Sequence, residues 1–140
     1  MGKIKAVLDT NILVSMLFRK TLAREFSNLV EERKVELYSS EAILEELARV
    51  ITYPKVERIF EEVGIGKKSA LEALSAMLKI VRPRMKINVI KEDLNDNKIL
   101  ECAIKAKAQY IVSGDKHLLN LGKFKGVKIV TARAFIDLNR

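Results

Sequence analysis

Apolar and polar positions change period repeatedly along this 140-residue chain. Ile4 to Leu8 is apolar and partly β-branched apart from Lys5, and it ends at Asp9-Thr10-Asn11, which predicts a buried strand running into a loop. Asn11 to Phe18 is apolar enough for a buried helix. Thr21 is placed to cap a second helix, carrying Leu22, Phe26, Leu29 and Val30 at helical spacing up to about Lys34. Val35 to Tyr38 predicts a short strand. Ser39 and Ser40 then supply an N-cap for a helix from about Glu41 to Ile51, ended by Tyr53-Pro54, and a further helix covers Lys55 to Glu62. Gly64 and Gly66 break the pattern. Ser69-Ala70-Leu71-Glu72 fits a capping box for a helix carrying Leu71, Leu74, Leu78 and Val81.

The next predicted strand is Ile87 to Ile90, followed after Asp93 by a helix with Ile99, Leu100, Ala103 and Ile104 on its apolar face. Tyr110 to Val112 reads as a short buried strand ending at Ser113-Gly114-Asp115, and Lys116 to Leu121 as a short helix. Val127 to Val130 is the last strand, with Thr131 capping a terminal helix to about Leu138. Short apolar strands alternating with helices predict an α/β fold whose mostly parallel sheet, of four or five strands, is covered on both faces. Neither a repeat nor a linker divides the chain, so residues 1–140 are read as one domain.

Composition narrows the chemistry. The longest apolar run, Ile12 to Phe18 interrupted by Ser15, falls far short of the roughly 20 residues that span a bilayer. No secretory apolar region opens the sequence, so a cytoplasmic protein without a membrane partner is expected. The single cysteine, Cys102, excludes an internal disulfide and a cysteine-built zinc site. The single histidine, His117, argues against a histidine-cluster metal site or a Ser-His-Asp triad. The chemistry must therefore rest mainly on carboxylates.

Charge adds a second constraint. The 26 Lys and Arg exceed the 18 Asp and Glu for a net charge of +8. Much of the excess lies in two stretches, one with Lys79, Arg82, Arg84, Lys86 and Lys91, the other with Lys123, Lys125, Lys128 and Arg133. Two readings stay open for them, contacts to a polyanion such as RNA or DNA and solvated faces that keep a small protein soluble.

Ligands of open parallel sheets bind at the carboxyl ends of the strands, and acids gather there: Asp9 after the first strand, Asp93 and Asp96 after the one ending near Ile90, and Asp115 after the one ending near Val112. Any one of these can be a helix N-cap. Asp96, however, lies three residues before Ile99 and four before Leu100, within the apolar face of its own helix, where an ionised carboxylate needs a compensating partner. On the helix after Ser40, Glu46 flanks the apolar face and Glu45 points nearly opposite, so Glu46 is the residue able to reach the sheet; taken alone, it reads also as a surface-rim acid pairing with Arg49 or a nearby Lys. Asp9, Glu46, Asp96 and Asp115 together would converge on one edge of the sheet. Carboxylates placed together repel, so a shared cation is the economical explanation, and oxygen donors indicate Mg2+ or Mn2+ rather than zinc. Such an ion suits phosphodiester hydrolysis. No P-loop, dinucleotide-binding glycine motif or nucleophile elbow is present.

In this order, Asp9-Thr10-Asn11, Ser40 with Leu44-Glu45-Glu46-Leu47, Asp96-Asn97-Lys98-Ile99-Leu100 followed by Ala103, and Ile111-Val112-Ser113-Gly114-Asp115 resemble the successive motifs of the PIN domain family. The resemblance runs from about Lys3 to Ile136 and is strongest to the subgroup of toxin components of toxin–antitoxin systems, similar to VapC-type toxins. It implies a three-layer α/β/α sandwich and a Mg2+- or Mn2+-dependent endoribonuclease. Asp9, Glu46, Asp96 and Asp115 match the acidic metal-binding and catalytic set, and Asn11 and Ser113 match the polar neighbours that orient ligands or water. Ser113 stands where the family usually has Thr. His117 stands where relatives in this subgroup often carry Asp, and is expected to be a helix-surface residue rather than a ligand. In this reading Arg82, Arg84, Lys86, Lys123 and Lys125 contact RNA, a small antitoxin inhibits the enzyme, and the chain can form a homodimer. Two other classes are weighed beside it, a non-catalytic RNA-binding or interaction module on the same fold, and a phosphohydrolase using Asp9 as nucleophile. The latter would want a second Asp where the chain has Asn11.

Overall fold

The computed structural model describes residues 3–90 and 94–140. In chain order they form β1 (Ile4–Leu8), α1 (Thr10–Phe18), α2 (Lys20–Glu31), β2 (Val35–Ser40), α3 (Glu41–Val50), α4 (Pro54–Val63) and α5 (Lys67–Ala76). Then come β3 (Leu78–Val81), α6 (Leu94–Ala106), β4 (Tyr110–Val112), α7 (Lys116–Leu121), β5 (Lys123–Phe124), β6 (Val127–Val130) and α8 (Ala132–Asn139). Lys91 and Asp93, read above as part of a basic stretch and as a strand-end acid, lie outside the described residues.

The strands order as β3-β2-β1-β4-β6-β5, with every pairing parallel except β5 against β6. The expected α/β architecture is therefore present, with six strands among the described residues instead of four or five. Ala6, Val7 and Leu8 of β1 are all fully buried. Because successive strand side chains point to opposite faces, complete burial of three in a row requires helices on both sides of the sheet. α6 packs over β1, β2 and β4. Elsewhere the fully buried rings of Phe26 in α2 and Phe135 in α8 stack at 6.1 Å, and Tyr110 of β4 meets Phe135 edge-on at 5.6 Å.

Two expectations fail in adjoining segments. Leu78 to Val81 does not continue the helix of Leu71 and Leu74; α5 stops at Ala76 and the four residues form β3. Leu74, Leu78 and Val81 satisfy a helical period, but a parallel ladder against β2, from Leu37 with Leu78 to Ser40 with Val81, supplies the backbone bonds instead. Conversely, Ile87 to Ile90 is not a strand. It belongs to an extended strap, 82–90, whose backbone groups are bonded by side chains of α6 rather than by a neighbouring strand: Ile87 N donates to Glu101 Oε2 at 3.0 Å, and Val89 N and Ile90 N donate to Asn97 Oδ1 at 3.1 and 2.9 Å. The Ser69 capping box is also absent, since α5 begins at Lys67 behind Gly66 without a side-chain cap, and Thr21 lies inside α2 rather than at its cap.

Glu36 of β2 ties the sheet edge together, accepting from Lys79 Nζ of β3 and from Tyr38 Oη at 3.3 Å, with Lys3 Nζ at 3.9 Å. The hydrogen bond from Lys79 is the main reason that its carboxyl is held below the usual carboxylate range. An acid whose pKa is depressed by folding contributes stability above its unfolded pKa and loses it as pH falls through the folded one. Glu36→Gln is therefore expected to destabilise the chain at neutral pH by at most about 1 kcal/mol, the scale of a solvent-screened pair. In thermal melts the gap between variant and wild type should close as pH falls through the carboxylate range; a gap that widens would contradict this assignment.

Candidate functional site

The chain runs outward from β1 to β2 and β3, then returns to place β4 on the other side of β1. That reversal is the topological switch point, and the loops leaving β1 and β4 form its carboxyl edge. Asp9 follows β1 and is 4% exposed. Its Oδ1 accepts from Ile12 N at 2.8 Å, capping α1, and its Oδ2 accepts from Ser113 Oγ. Ser113, fully buried after β4, also accepts from Asp115 N at 2.9 Å. One hydroxyl thus couples the two acids across the switch point. Asp115 Oδ1 caps α7, accepting from His117 N at 2.7 Å and Leu118 N at 3.3 Å. The capping and functional readings of these Asp residues are compatible, because the cap bonds fix how each carboxylate is presented.

Asp9, Asn11, Glu46, Asp96 and Asp115 line one small cavity of about 30 Å³, together with Thr10, Asn95 and Ile99. That is room for a species the size of one water or ion. Asp96, on the first turn of α6, is buried. Glu46 reaches the cavity from α3, which Ser40 caps by accepting from Ile43 N at 3.4 Å. Burial is the main cause that pushes the Asp9 carboxyl up from its ordinary value, the charge of Asp115 adds to it, and the bonds from Ser113 and Ile12 work in the opposite direction. A carboxylate with a raised pKa is disfavoured when ionised in the folded state, so a proton or a cation bound there stabilises the chain. Several carboxylates on a cavity of this size, one of them desolvated, fit a hard cation held by oxygen donors.

The basic residues divide. Arg82, Arg84 and Lys86, on the strap, line a second cavity of about 410 Å³ with Lys98 of α6 and Glu45 of α3. The two cavities share α3 and α6 as walls: Glu45 and Lys98 face one, Glu46 and Asp96 the other. Lys123 and Lys125 are not brought to either. Lys123 sits on β5, at the sheet edge opposite β3, and Lys125 turns the chain from β5 into β6. That hairpin lies at the amino end of β6, whereas Asp9 and Asp115 follow the carboxyl ends of their strands. Clustering of charge in sequence does not survive an antiparallel hairpin.

Three residues matter more than their sequence context indicated. Asn97, 3% exposed, holds the strap with both ends of its amide, accepting from Val89 N and Ile90 N and donating to Ile90 O at 2.7 Å. Glu101, one helical turn on, bonds Ile87 and approaches Lys98 Nζ at 3.7 Å. Polar residues four apart on a buried helix were the available signal. His117 lies at the surface of α7 as expected, its side chain 34% exposed, but its Nδ1 is buried, without a hydrogen-bond partner among the described residues. Cys102 is buried and its thiol pushed up to about 12, which leaves it inert at neutral pH.

Among the described residues no helix is long and apolar enough to cross a membrane. No curated protein matches the sequence significantly. Among solved structures the chain is similar to one in the complex described as VapBC2 from Rickettsia felis bound to a DNA fragment from their promoter, with a TM-score of 0.59, 18% identity, and coverage of 90% of this chain and 97% of that one. At that identity the likeness is one of fold. The sequence profile of a family described as PIN domain matches residues 5–117, which takes in β1, the cavity-lining acids and the start of α7. By that match over most of its length, the chain belongs to the PIN domain family.

Proposed function

We propose that the protein is a Mg2+- or Mn2+-dependent endoribonuclease of the VapC type, the toxin of a toxin–antitoxin pair. The single observation that carries the reading is the convergence of Asp9, Glu46, Asp96 and Asp115 on one ion-sized cavity at the switch point of the sheet. In this proposal Asp9, Asp96 and Asp115 hold the cation, and Glu46 joins them or orients the attacking water. A cation bound there supplies activation of water and stabilisation of charge on the leaving oxygen. Ser113 holds the Asp9 and Asp115 loops in one arrangement through its two hydrogen bonds, so the donors are preorganised before substrate arrives. Asn11, on the cavity wall, positions ligand or water. Arg82, Arg84 and Lys86 on the adjoining cavity contact RNA phosphates and draw the polyanion toward an acidic centre.

A cytoplasmic location and inhibition by a small antitoxin accompany this reading. Cleavage of a labelled single-stranded RNA tests it: turnover in Mn2+ or Mg2+ that stops in EDTA and returns when the metal is restored is the expected result. Full cleavage in EDTA would overturn the metal mechanism. Salt-dependent RNA binding with no cleavage in either metal would replace it with a non-catalytic RNA-binding module.

A further inference from the structure

We infer that His117 is a ligand of the cation held by Asp96 and Asp115, and that its imidazole biases the site toward Mn2+ over Mg2+. The inference rests on the metal centre proposed above and adds a nitrogen donor to it. Asp96, Asp115 and His117 each offer one donor atom, and the three lie within 4.8 Å of one another. His117 Nδ1 stands 3.7 Å from Asp115 Oδ1. Donors around a single ion at about 2.1 Å stand roughly 3 Å apart when adjacent and about 4.2 Å apart when opposite. The His117–Asp115 pair, at 3.7 Å, falls inside that range, and the Asp96 donor lies within 4.8 Å of both.

The environment of the ring points the same way. The side chain is 34% exposed, yet the exposed part excludes Nδ1, which is buried and makes no hydrogen bond with the described residues. A buried ring nitrogen without a partner costs free energy unless something binds it, and here it faces a carboxylate of the cavity. The position is set by the backbone: His117 N is bonded to the Asp115 carboxylate, which holds residue 117 against the acid two positions before it. Imidazole is a poor donor for Mg2+, which keeps oxygen ligands and water, and a good one for transition metals. An Asp at this position would give an all-oxygen site with less discrimination.

The test is a titration of the full chain with Mn2+, monitored by loss of the free-ion electron paramagnetic resonance signal, with Mg2+ as competitor. Because His117 is the single histidine, nitrogen modulation of the bound Mn2+ spin echo reports its ligation directly. The wild-type chain should show that modulation, and His117→Ala should lose it and bind Mn2+ at least about 10-fold more weakly. His117→Asp should lose it as well, with the preference for Mn2+ over Mg2+ falling by about 10-fold. Circular dichroism melts verify that both variants are folded. Unchanged Mn2+ affinity and selectivity in the two variants, with Asp96→Asn losing the ion, would remove His117 from the site and leave the carboxylate centre standing. If the wild-type chain takes up no Mn2+, the carboxylate centre falls and this inference with it.

Discussion

Asp96→Asn is expected to reduce metal-supported RNA cleavage by at least about 100-fold while the protein remains folded. Groups that merely support metal ligands cost roughly 10–100-fold when removed, and Asp96 is assigned to the ligand set itself. It is buried at the start of α6 and faces the cavity that Asp9, Glu46 and Asp115 share. Asn keeps the shape and one oxygen but not the charge, so the substitution separates coordination from packing. A second readout comes from linkage, since a ligand bound only by the native state adds about 2.7 kcal/mol of stability at 100 times its Kd. Saturating Mn2+ should therefore raise the melting temperature of the wild-type chain and leave that of the variant unmoved. Cleavage within a few-fold of wild type would remove Asp96 from the mechanism.

Asn97→Ala is expected to destabilise the fold by about 2–4 kcal/mol, read as a lower denaturant midpoint at unchanged slope. The amide of Asn97 is the sole bonding partner that the described residues show for Ile90 N and Ile90 O, and Ile90 is 5% exposed. Each buried backbone group left unmatched costs roughly 1–3 kcal/mol. Asn97→Asp keeps the acceptor for Val89 N and Ile90 N, loses the donor and adds a charge beside Asp96, so it tests the acceptor half separately. The functional consequence is specific: the strap that carries Arg82, Arg84 and Lys86 would lose its Asn97 anchor on α6 and keep only the Glu101 one, so RNA affinity should fall at temperatures where the variant is folded, whereas Mn2+ affinity should persist. A variant as stable as wild type would show that the Glu101 bond to Ile87 N and the apolar contacts of the strap suffice to hold it.

Asn97 also marks the limit of local pattern. The strap contains Ile87-Asn88-Val89-Ile90, a β-rich tetrad that reads as a strand, and the neighbouring Leu78 to Val81 reads as the tail of a helix. Both readings use local period alone. Which segment joins the sheet depends on which can reach β2 in register, and Leu78 follows α5 directly into that position. The later segment is left to satisfy its backbone against side chains. No periodicity contains that competition.

The local chemistry, by contrast, was written along the chain. β1, β4, α7 and β6 have the bounds that their apolar runs predict, because short fully buried strands admit few polar residues and Asp or Thr caps open the helices after them. The placement of Asp9 and Asp115 just beyond strands was legible for the same reason, and that of Asp96 from the apolar face of its own helix although the strand expected before it is absent, while the shortage of Cys and His directs attention to oxygen donors. The partners these parts meet were fixed by the fold. The reversal of strand order between β1 and β4 brings Asp9 to Ser113 and Asp115 across a separation of more than a hundred residues. An antiparallel hairpin carries Lys125 to the opposite end of the sheet, and α7 turns the Nδ1 of His117 inward beside Asp115. The physical reason is common to all three: caps and periods are set by neighbours within a turn or two, whereas burial, charge proximity and ligand geometry depend on which distant segments the sheet places side by side.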